Sequence, residues 1–302
     1  MEKVIVIVGP TGVGKTKLSV DLARHFNTEI ISADSMQIYK GMDIGTAKVT
    51  KDETSGIKHH LIDIKEIEES YSVFESQINI RKKITEINKM DKIPIIVGGT
   101  GLFIKAALYD YTFLKEEKRE TQTYEGISNE ELYEKLVSID KESANKIHVN
   151  NRRRIIRALQ IASSDIKKSD IIKSQKHKPL YDIKMIGLTT DRKTLYKRID
   201  NRVDKMLEKG LLDEVKAIYD KYKGQNYQSL QGISYKELFL YFDKKITLEE
   251  AIDLIKKKSR NYAKRQYTWF NNQFRVNWFD VDFNNFDNTV KEVLSFLEHE
   301  DE

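Results

Sequence analysis

Short unbroken apolar runs alternate with longer stretches in which apolar residues recur every three or four positions, and this alternation dominates the first hundred residues. KVIVIV (3–8) is the first run, and it ends in a glycine-rich loop. From Lys15 to about Phe26, Leu18, Leu22 and His25/Phe26 return at helical spacing. TEIISA (28–33), HHLIDI (59–64), KIPIIVGG (92–99) and IKMIGL (183–188) read as four further strands. Ser72, with Glu75 at the capping-box position, opens a helix predicted to run through about Met90. Strands alternating with helices predict an α/β protein with a mostly parallel, doubly wound sheet. In such sheets the chemistry sits at the strands' C-terminal ends.

Between roughly 113 and 182 the strand signals vanish and charged helical segments take over, with a polar Lys/Ser-rich stretch near 163–178. After the fifth strand the pattern is helical, over 192–208, 211–222, 234–242 and 247–270. In the last of these, Leu248, Ala251/Ile252, Ile255, Tyr262, Gln266 and Trp269 form one stripe while the lysines and arginines point elsewhere. No fixed-period repeat is visible. The expected organisation is a discontinuous core, 1–112 and 183–302, interrupted by a helical insertion at 113–182.

Composition narrows the class. A charged fraction of 33% and a mean hydropathy of −0.56 describe a soluble globular chain of 302 residues. The longest apolar run, VIVIV at 4–8, is far too short to span a bilayer and leads straight into the glycine loop, so a first strand is expected and not a signal peptide. With no cysteine, disulfides and thiolate metal sites are excluded, and the cytoplasm is the expected location. The net charge of +5 is unevenly spread. Basic residues crowd into 150–157, 167–178 and 256–265, whereas the chain from about Asp280 onward is acidic.

The loop GPTGVGKT (Gly9, Pro10, Thr11, Gly12, Val13, Gly14, Lys15, Thr16) fits G-x-x-x-x-G-K-[ST], directly after an apolar strand and before an amphipathic helix. That context predicts a P-loop NTPase-like core. The glycines let backbone N–H groups converge on an anion, and the helix N-terminus adds partial positive charge. Lys15 brings a point charge to terminal phosphates, and Thr16 a hydroxyl for Mg²⁺. Such loops commonly bind ATP, but the residues themselves specify only a phosphate or diphosphate. The partner that phosphoryl transfer needs is missing: the strand IPIIVGGTG (93–101) ends in glycines and a threonine, without Asp or Glu.

An acid does occur elsewhere. In ISADSMQIYKGMDIGTAK (31–48), Asp34 lies just past the second strand, where a general base could work or where an Asp-Ser pair could simply make a turn. Asp43 is equally readable as a solvated loop residue. Gly41 and Gly45 suggest a loop fitted closely over a ligand. His59 and His60 have only Asp63 nearby, so strand packing or loop hydrogen bonds are expected there and not a metal site.

Taken in order, GPTGVGKT, ISADSMQIYKGMDIGTAK, HHLIDI, IIVGGTGLFIKAAL, NNRRRIIRALQI, RVDKMLEKGLLDEV, QGISYKEL and AKRQYTWF resemble the bacterial tRNA dimethylallyltransferases from residue 3 to about 272. The resemblance is weakest over 113–147 and beyond 275. It implies transfer of a dimethylallyl group from dimethylallyl diphosphate to N6 of the adenosine 3′ to the anticodon, with tRNA recognised through its anticodon stem-loop. The loop from Gly9 to Thr16 then holds a diphosphate leaving group, so no kinase-type acid is required. The resemblance makes Asp34 the base, places Thr100 near the reacting nucleotide, and assigns Arg202 to the diphosphate, with Mg²⁺ at Thr16. It assigns RNA contacts to Asp34, Ser35, Met36, Gln37 and Thr100, and to Arg153, Arg154, Ile155, Ile156 and Arg157 in the Arg-rich helix. Tyr235, Lys236, Arg260, Lys264 and Arg265 are candidates to extend that surface.

Reaching a buried carboxylate requires the adenine to leave its stack. A monomer is expected. Two departures stand out: the family commonly reads I-G-Y where this chain has Ile233-Ser234-Tyr235, and His-Pro where it has His148-Val149. Three rival readings remain: a small-molecule or nucleoside kinase, a prenyltransferase acting on free adenine nucleotides, and a noncatalytic RNA-binding protein.

Overall fold

In the computed structural model, residues 1–113, 124–162, 169–170 and 177–299 are described. Six strands form one all-parallel sheet in the order β3-β2-β4-β1-β5-β6. They are β1 (Lys3–Val8), β2 (Ile30–Ser32), β3 (His59–His60), β4 (Ile95–Val97), β5 (Asp182–Thr189) and β6 (Asn277–Asp280). β1 is an unbroken apolar run because both faces are covered: all of Val4 to Val8 is buried. Helix α1 (Lys15–His25) lays Leu18 and Leu22, both fully buried, against the core built from Ile5, Ile7, Ile95, Ile186 and Leu188. Each such leucine contributes about 2 kcal/mol.

Four strands are shorter than or absent from the expected set, for local reasons. HHLIDI pairs only through His59 and His60, because Leu61 and Asp63 adopt left-handed φ angles of 63° and 54° and turn the chain away. β2 and β4 pair over three residues each, after which Ala33 and Gly98 begin the site loops. β6 corrects the purely helical reading of the C-terminal part. Its sequence, NWFD, is short, half-exposed and lies at the sheet edge, so it lacks an apolar run.

The helices follow their signals more closely. They are α2 (Lys51–Thr54), α3 (Val73–Asn88), α4 (Gly101–Leu108), α5 (Asn129–Ile139), α6 (Lys141–Asn145), α7 (Arg152–Ala162), α8 (Arg192–Glu208), α9 (Leu211–Tyr222), α10 (Tyr235–Phe242), α11 (Leu248–Gln273) and α12 (Phe286–His299). The capping box read at Ser72 and Glu75 is present, with Glu75 N–H donating to Ser72 Oγ and Ser72 N–H to Glu75 Oε2.

Two compact units result: Met1–Leu108 with Leu180–Glu302, and Tyr109–Pro179. The first is closed where the chain leaves and re-enters it, by a Leu180 N–H donating to Leu108 O at 2.9 Å. It contains the whole sheet. The second has its own small core, in which Leu132, Leu136, Ala144, Ile155, Ala158 and Leu159 of α5, α6 and α7 are buried together. The Lys/Ser-rich stretch predicted near 163–178 lies largely outside the described residues.

Candidate active site

Sheet order brings the site together. β2, β4 and β1 are neighbours, so the loops leaving their C-terminal ends emerge side by side: Asp34 after β2, Thr100 after β4, and the phosphate loop after β1. Ala33 N–H donates to Val97 O at 2.8 Å, and Thr100 N–H to Ala33 O at 3.2 Å, so the first two loops are tied at their roots. Gly98 is required there, since a Cβ would lie 2.3 Å from Ala33 O.

The phosphate loop has the left-handed backbone its glycines permit, with φ of 83° at Gly12 and 106° at Gly14. Lys15 wraps over it, its ammonium donating to Gly9 O at 2.9 Å and Pro10 O at 2.8 Å. Withdrawal from water, together with the positive charge of Arg202, lowers the Lys15 pKa to about 7, with Asp34 opposing the shift. Arg202, on α8, donates from Nη1 to Thr11 Oγ1 at 3.2 Å. Burial lowers its pKa too, while Asp34 and Glu53 pull the other way. One turn earlier, Arg198 donates from Nε to Gly12 O at 3.0 Å. Thr16 is exposed on the first turn of α1, at the loop's end.

Asp34 is half-buried, and its Oδ1 accepts from the backbone N–H groups of Met36 (2.8 Å) and Gln37 (3.3 Å). The turn reading and the base reading are therefore compatible: the turn fixes the carboxylate. Thr100 Oγ1 accepts from Ser35 N–H at 3.1 Å and donates to Ser35 Oγ at 3.3 Å. Tyr262 of α11 stands beside the same turn, its hydroxyl 3.9 Å from where a Cβ on Gly99 would lie. Burial and the charge of Asp34 push the Tyr262 pKa up to about 12.

Gln266, one turn along the same stripe, escaped the sequence reading as a site residue. Its buried amide accepts from Thr11 N–H at 2.9 Å and donates to Gly99 O at 3.1 Å. It thus joins the phosphate loop to the GGTG turn, and a Cβ on Gly99 would fall 2.0 Å from its Nε2. The only available signal was an amide standing on an otherwise apolar stripe. Arg198 was legible only as the i−4 neighbour of Arg202.

Several expected RNA contacts are placed differently. Ile155 is fully buried in the core of the smaller unit, so its side chain packs there and presents no surface. Ile156 is half-buried against the same core, while Arg153, Arg154 and Arg157 are exposed on α7. The first arginine of that run, Arg152, instead ties down Tyr124 O, Ile127 O and Asn129 Oδ1. Gln37 donates its amide to Thr46 O and Ala47 O, and Met36 packs on Gly232, where a Cβ would meet it at 2.5 Å.

Tyr235 has no exposed surface, which removes it from the candidate RNA face. Arg260 pairs with Asp200 at 2.5 Å, whereas Lys236, Lys264 and Arg265 are exposed. Asp43 is an exposed loop residue, as read, and its carboxylate, like that of Asp63, also pairs with the buried Lys48. His59 and His60 make the local hydrogen bonds expected of them, to Ile57 O and Glu29 Oε2. Among the described residues no group of three or more His, Asp or Glu could hold a metal ion.

A parallel sheet of this topology, with Lys15, Arg202 and an exposed hydroxyl at a glycine loop and a carboxylate beside it that does not come from the end of β4, defines a P-loop-type α/β protein. The family model described as IPP transferase matches residues 37–273. A tRNA dimethylallyltransferase of Anoxybacillus flavithermus is 51% identical over 98% of this chain and 96% of its own. The crystal structure of the tRNA isopentenylpyrophosphate transferase of Bacillus halodurans superposes with a TM-score of 0.74 at 46% identity, covering 99% of this chain and 96% of that one. A eukaryotic dimethylallyltransferase acting on tRNA gives a TM-score of 0.86 at 32% identity over 97% and 78%. The chain belongs to the IPP transferase family.

Proposed function

We propose that this enzyme transfers the dimethylallyl group of dimethylallyl diphosphate to N6 of the adenosine 3′ to the anticodon in tRNA, releasing diphosphate. The observation that carries the reading is the juxtaposition of Lys15 and Arg202 on the phosphate loop with Asp34 at the next strand ends, while the end of β4 holds only Gly98, Gly99 and Thr100.

The exocyclic amine of adenine is a weak nucleophile, because its lone pair is delocalised into the ring. As N6 attacks C1 of the prenyl group, the C1–O bond breaks, its electron pair leaves with the diphosphate, and the N6 proton passes to the Asp34 carboxylate. Asp34 thereby avoids a cationic product, and the two amides on its Oδ1 hold it ready. Negative charge grows on the leaving oxygen, where Lys15, Arg202 and the backbone amides of 12–16 would stabilise it. Thr16, exposed and without an acidic cluster nearby among the described residues, suits a Mg²⁺ carried mainly by diphosphate oxygens and water. Bound there, the ion would neutralise charge on the leaving group. Thr100, held by Ser35, would contact the flipped nucleotide together with Ser35, Met36 and Gln37. Arg153, Arg154 and Arg157 would meet RNA phosphates, making 109–179 a tRNA-contacting insertion. The substrate suits a monomeric cytoplasmic enzyme, and no described helix is long and apolar enough to cross a membrane.

The test is transfer of label from dimethylallyl diphosphate to unmodified tRNA with Mg²⁺, run beside AMP and beside labelled ATP, for the wild type and Asp34→Asn. Asparagine keeps an oxygen for the Met36 and Gln37 amides but cannot take a proton. We expect label on tRNA alone and a loss of at least about 100-fold in kcat for the variant, with tRNA binding within a few-fold. Near-normal kcat in Asp34→Asn would end the base assignment. Label on AMP changes the acceptor, and phosphate from ATP restores the kinase reading.

A further inference from the structure

Three sequence motifs have no task in that mechanism: GMDIGTAK (41–48), GLLDEV (210–215) and ISYKEL (233–238). They lie far apart in the chain and meet at one side chain. Glu214, on the first turn of α9, sends Oε2 to the backbone N–H groups of Asp43 (2.9 Å) and Ile44 (2.7 Å), and Oε1 to the N–H of Gly45 (3.0 Å) and the hydroxyl of Tyr235 (2.7 Å). Three consecutive amides converging on one anion form a nest, here filled by a carboxylate from a different element. The fit is close: a Cβ on Gly45 would lie 2.7 Å from the Tyr235 ring, so that position admits only glycine.

The clamped turn leads back to the acceptor side of the site. Lys48 N–H donates to Asp43 O, and the buried Lys48 ammonium joins Asp43, Asp63 and Tyr39 O. Thr46 O and Ala47 O receive the side-chain amide of Gln37, whose own N–H donates to Asp34 Oδ1. Glu214 therefore connects to Asp34 through three hydrogen-bonded steps, by way of the 43–47 turn and Gln37, without touching the phosphate loop.

We propose that Glu214 is a positioning residue, which holds the 43–47 turn and so sets the Asp34–Gln37 segment for the RNA acceptor. The inference deepens the prenyl-transfer reading and rests on it for its kinetic consequence. The chemistry makes the carboxylate hard to replace. In Glu214→Gln one oxygen becomes an NH₂ that must face donors: either the Asp43 and Ile44 amides or the Gly45 amide. Tyr235→Phe, by contrast, removes one donor and leaves all three amides paired.

The experiment compares wild type, Glu214→Gln, Glu214→Asp and Tyr235→Phe by steady-state prenyl transfer and by amide hydrogen exchange at Asp43–Gly45. Glu214→Gln should raise KM for tRNA about tenfold while KM for dimethylallyl diphosphate stays within twofold, and should speed exchange at the three amides at least tenfold. Tyr235→Phe should change either quantity by less than about threefold. If Glu214 served only to hold α9 against α10, the Gln and Phe variants would behave alike, and both KM values would stay put as kcat fell with the folded fraction. That result overturns the proposal, as does unchanged exchange in a folded Glu214→Gln. Glu214→Asp keeps the charge at a shorter reach, so it should give the same split in milder form should the Gln variant not fold. A wild type inert towards tRNA would sink the prenyl-transfer reading, and with it the acceptor role. The clamp itself would then be judged by exchange alone.

Discussion

Lys15 and Arg202 place two positive charges on one small glycine loop, and the Lys15 ammonium is the one that yields. Its pKa falls to about 7 from an ordinary 10.5, through burial first and Arg202 second. Without a ligand the lysine is therefore charged below about pH 7 and increasingly neutral above it. An arriving diphosphate favours the charged form, so binding above pH 7 must draw a proton from solution. The sign follows: the lysine's contribution to donor affinity is constant below about pH 7 and falls above it, by up to about tenfold per pH unit until the bound-state pKa is reached. Calorimetry with a non-reactive dimethylallyl diphosphate analogue at pH 8.5, in two buffers of different ionisation enthalpy, should show uptake of close to one proton. Lys15→Arg, with a fixed charge, should show almost none. Zero uptake in the wild type would mean that the lysine is already charged at that pH before the ligand arrives.

At the scale of elements, the start of α10 carries a local conflict. Ser234 adopts φ 84° and ψ −49°, a conformation glycine tolerates and serine does not, and it is nearly fully buried. Its backbone N–H still reaches Glu237 Oε2 at 2.9 Å, which survives loss of the side chain. Ser234→Gly should stabilise the protein by about 1 kcal/mol, the relieved strain exceeding the extra chain entropy of glycine. That appears as a higher urea midpoint at unchanged slope, and as about 2 °C in Tm. A lower midpoint would show that the serine hydroxyl does more than the backbone costs.

This departure was visible in the sequence through the family resemblance, as a serine where the resembled family commonly reads glycine. Lys15 and Asp34 were legible because each follows a strand, and strand ends are where parallel sheets converge, whereas Thr100 and Arg202 were assigned only through the family resemblance. Gln266, Arg198 and Glu214 were not legible, because each lies within an amphipathic helix where polar residues are the norm. Their roles depend on which loop the helix packs against. Likewise, alternating elements imply a parallel sheet but leave the strand order open, and a four-residue edge strand such as β6 has no periodicity to detect.

At the scale of the whole molecule, the proposed function divides the chemistry between the two units by type of contact. The larger one contains every group assigned to bond making and breaking, while the smaller one turns a cationic helix face outward. On α7, Ile155, Ala158 and Leu159 fill the small unit's core, which obliges Arg153, Arg154 and Arg157 to the exposed side of the same helix. An anticodon arm is a dense line of phosphates, and each one neutralised releases counterions, at a slope of about −0.7 in log affinity against log salt per single-strand contact. Replacing Arg153, Arg154 and Arg157 together by alanine should make that slope shallower by about 2. It should weaken tRNA binding at least about tenfold at physiological salt, with the affinity for a dimethylallyl diphosphate analogue unchanged. Because Ile155 and Arg152 are left in place, the small unit keeps its core and its ties to Tyr124 and Asn129, so far-UV circular dichroism should not change. A variant that kept the full salt slope would move the RNA phosphates off α7 altogether. The exposed Lys236, Lys264 and Arg265 of the larger unit would then be the cations to test next.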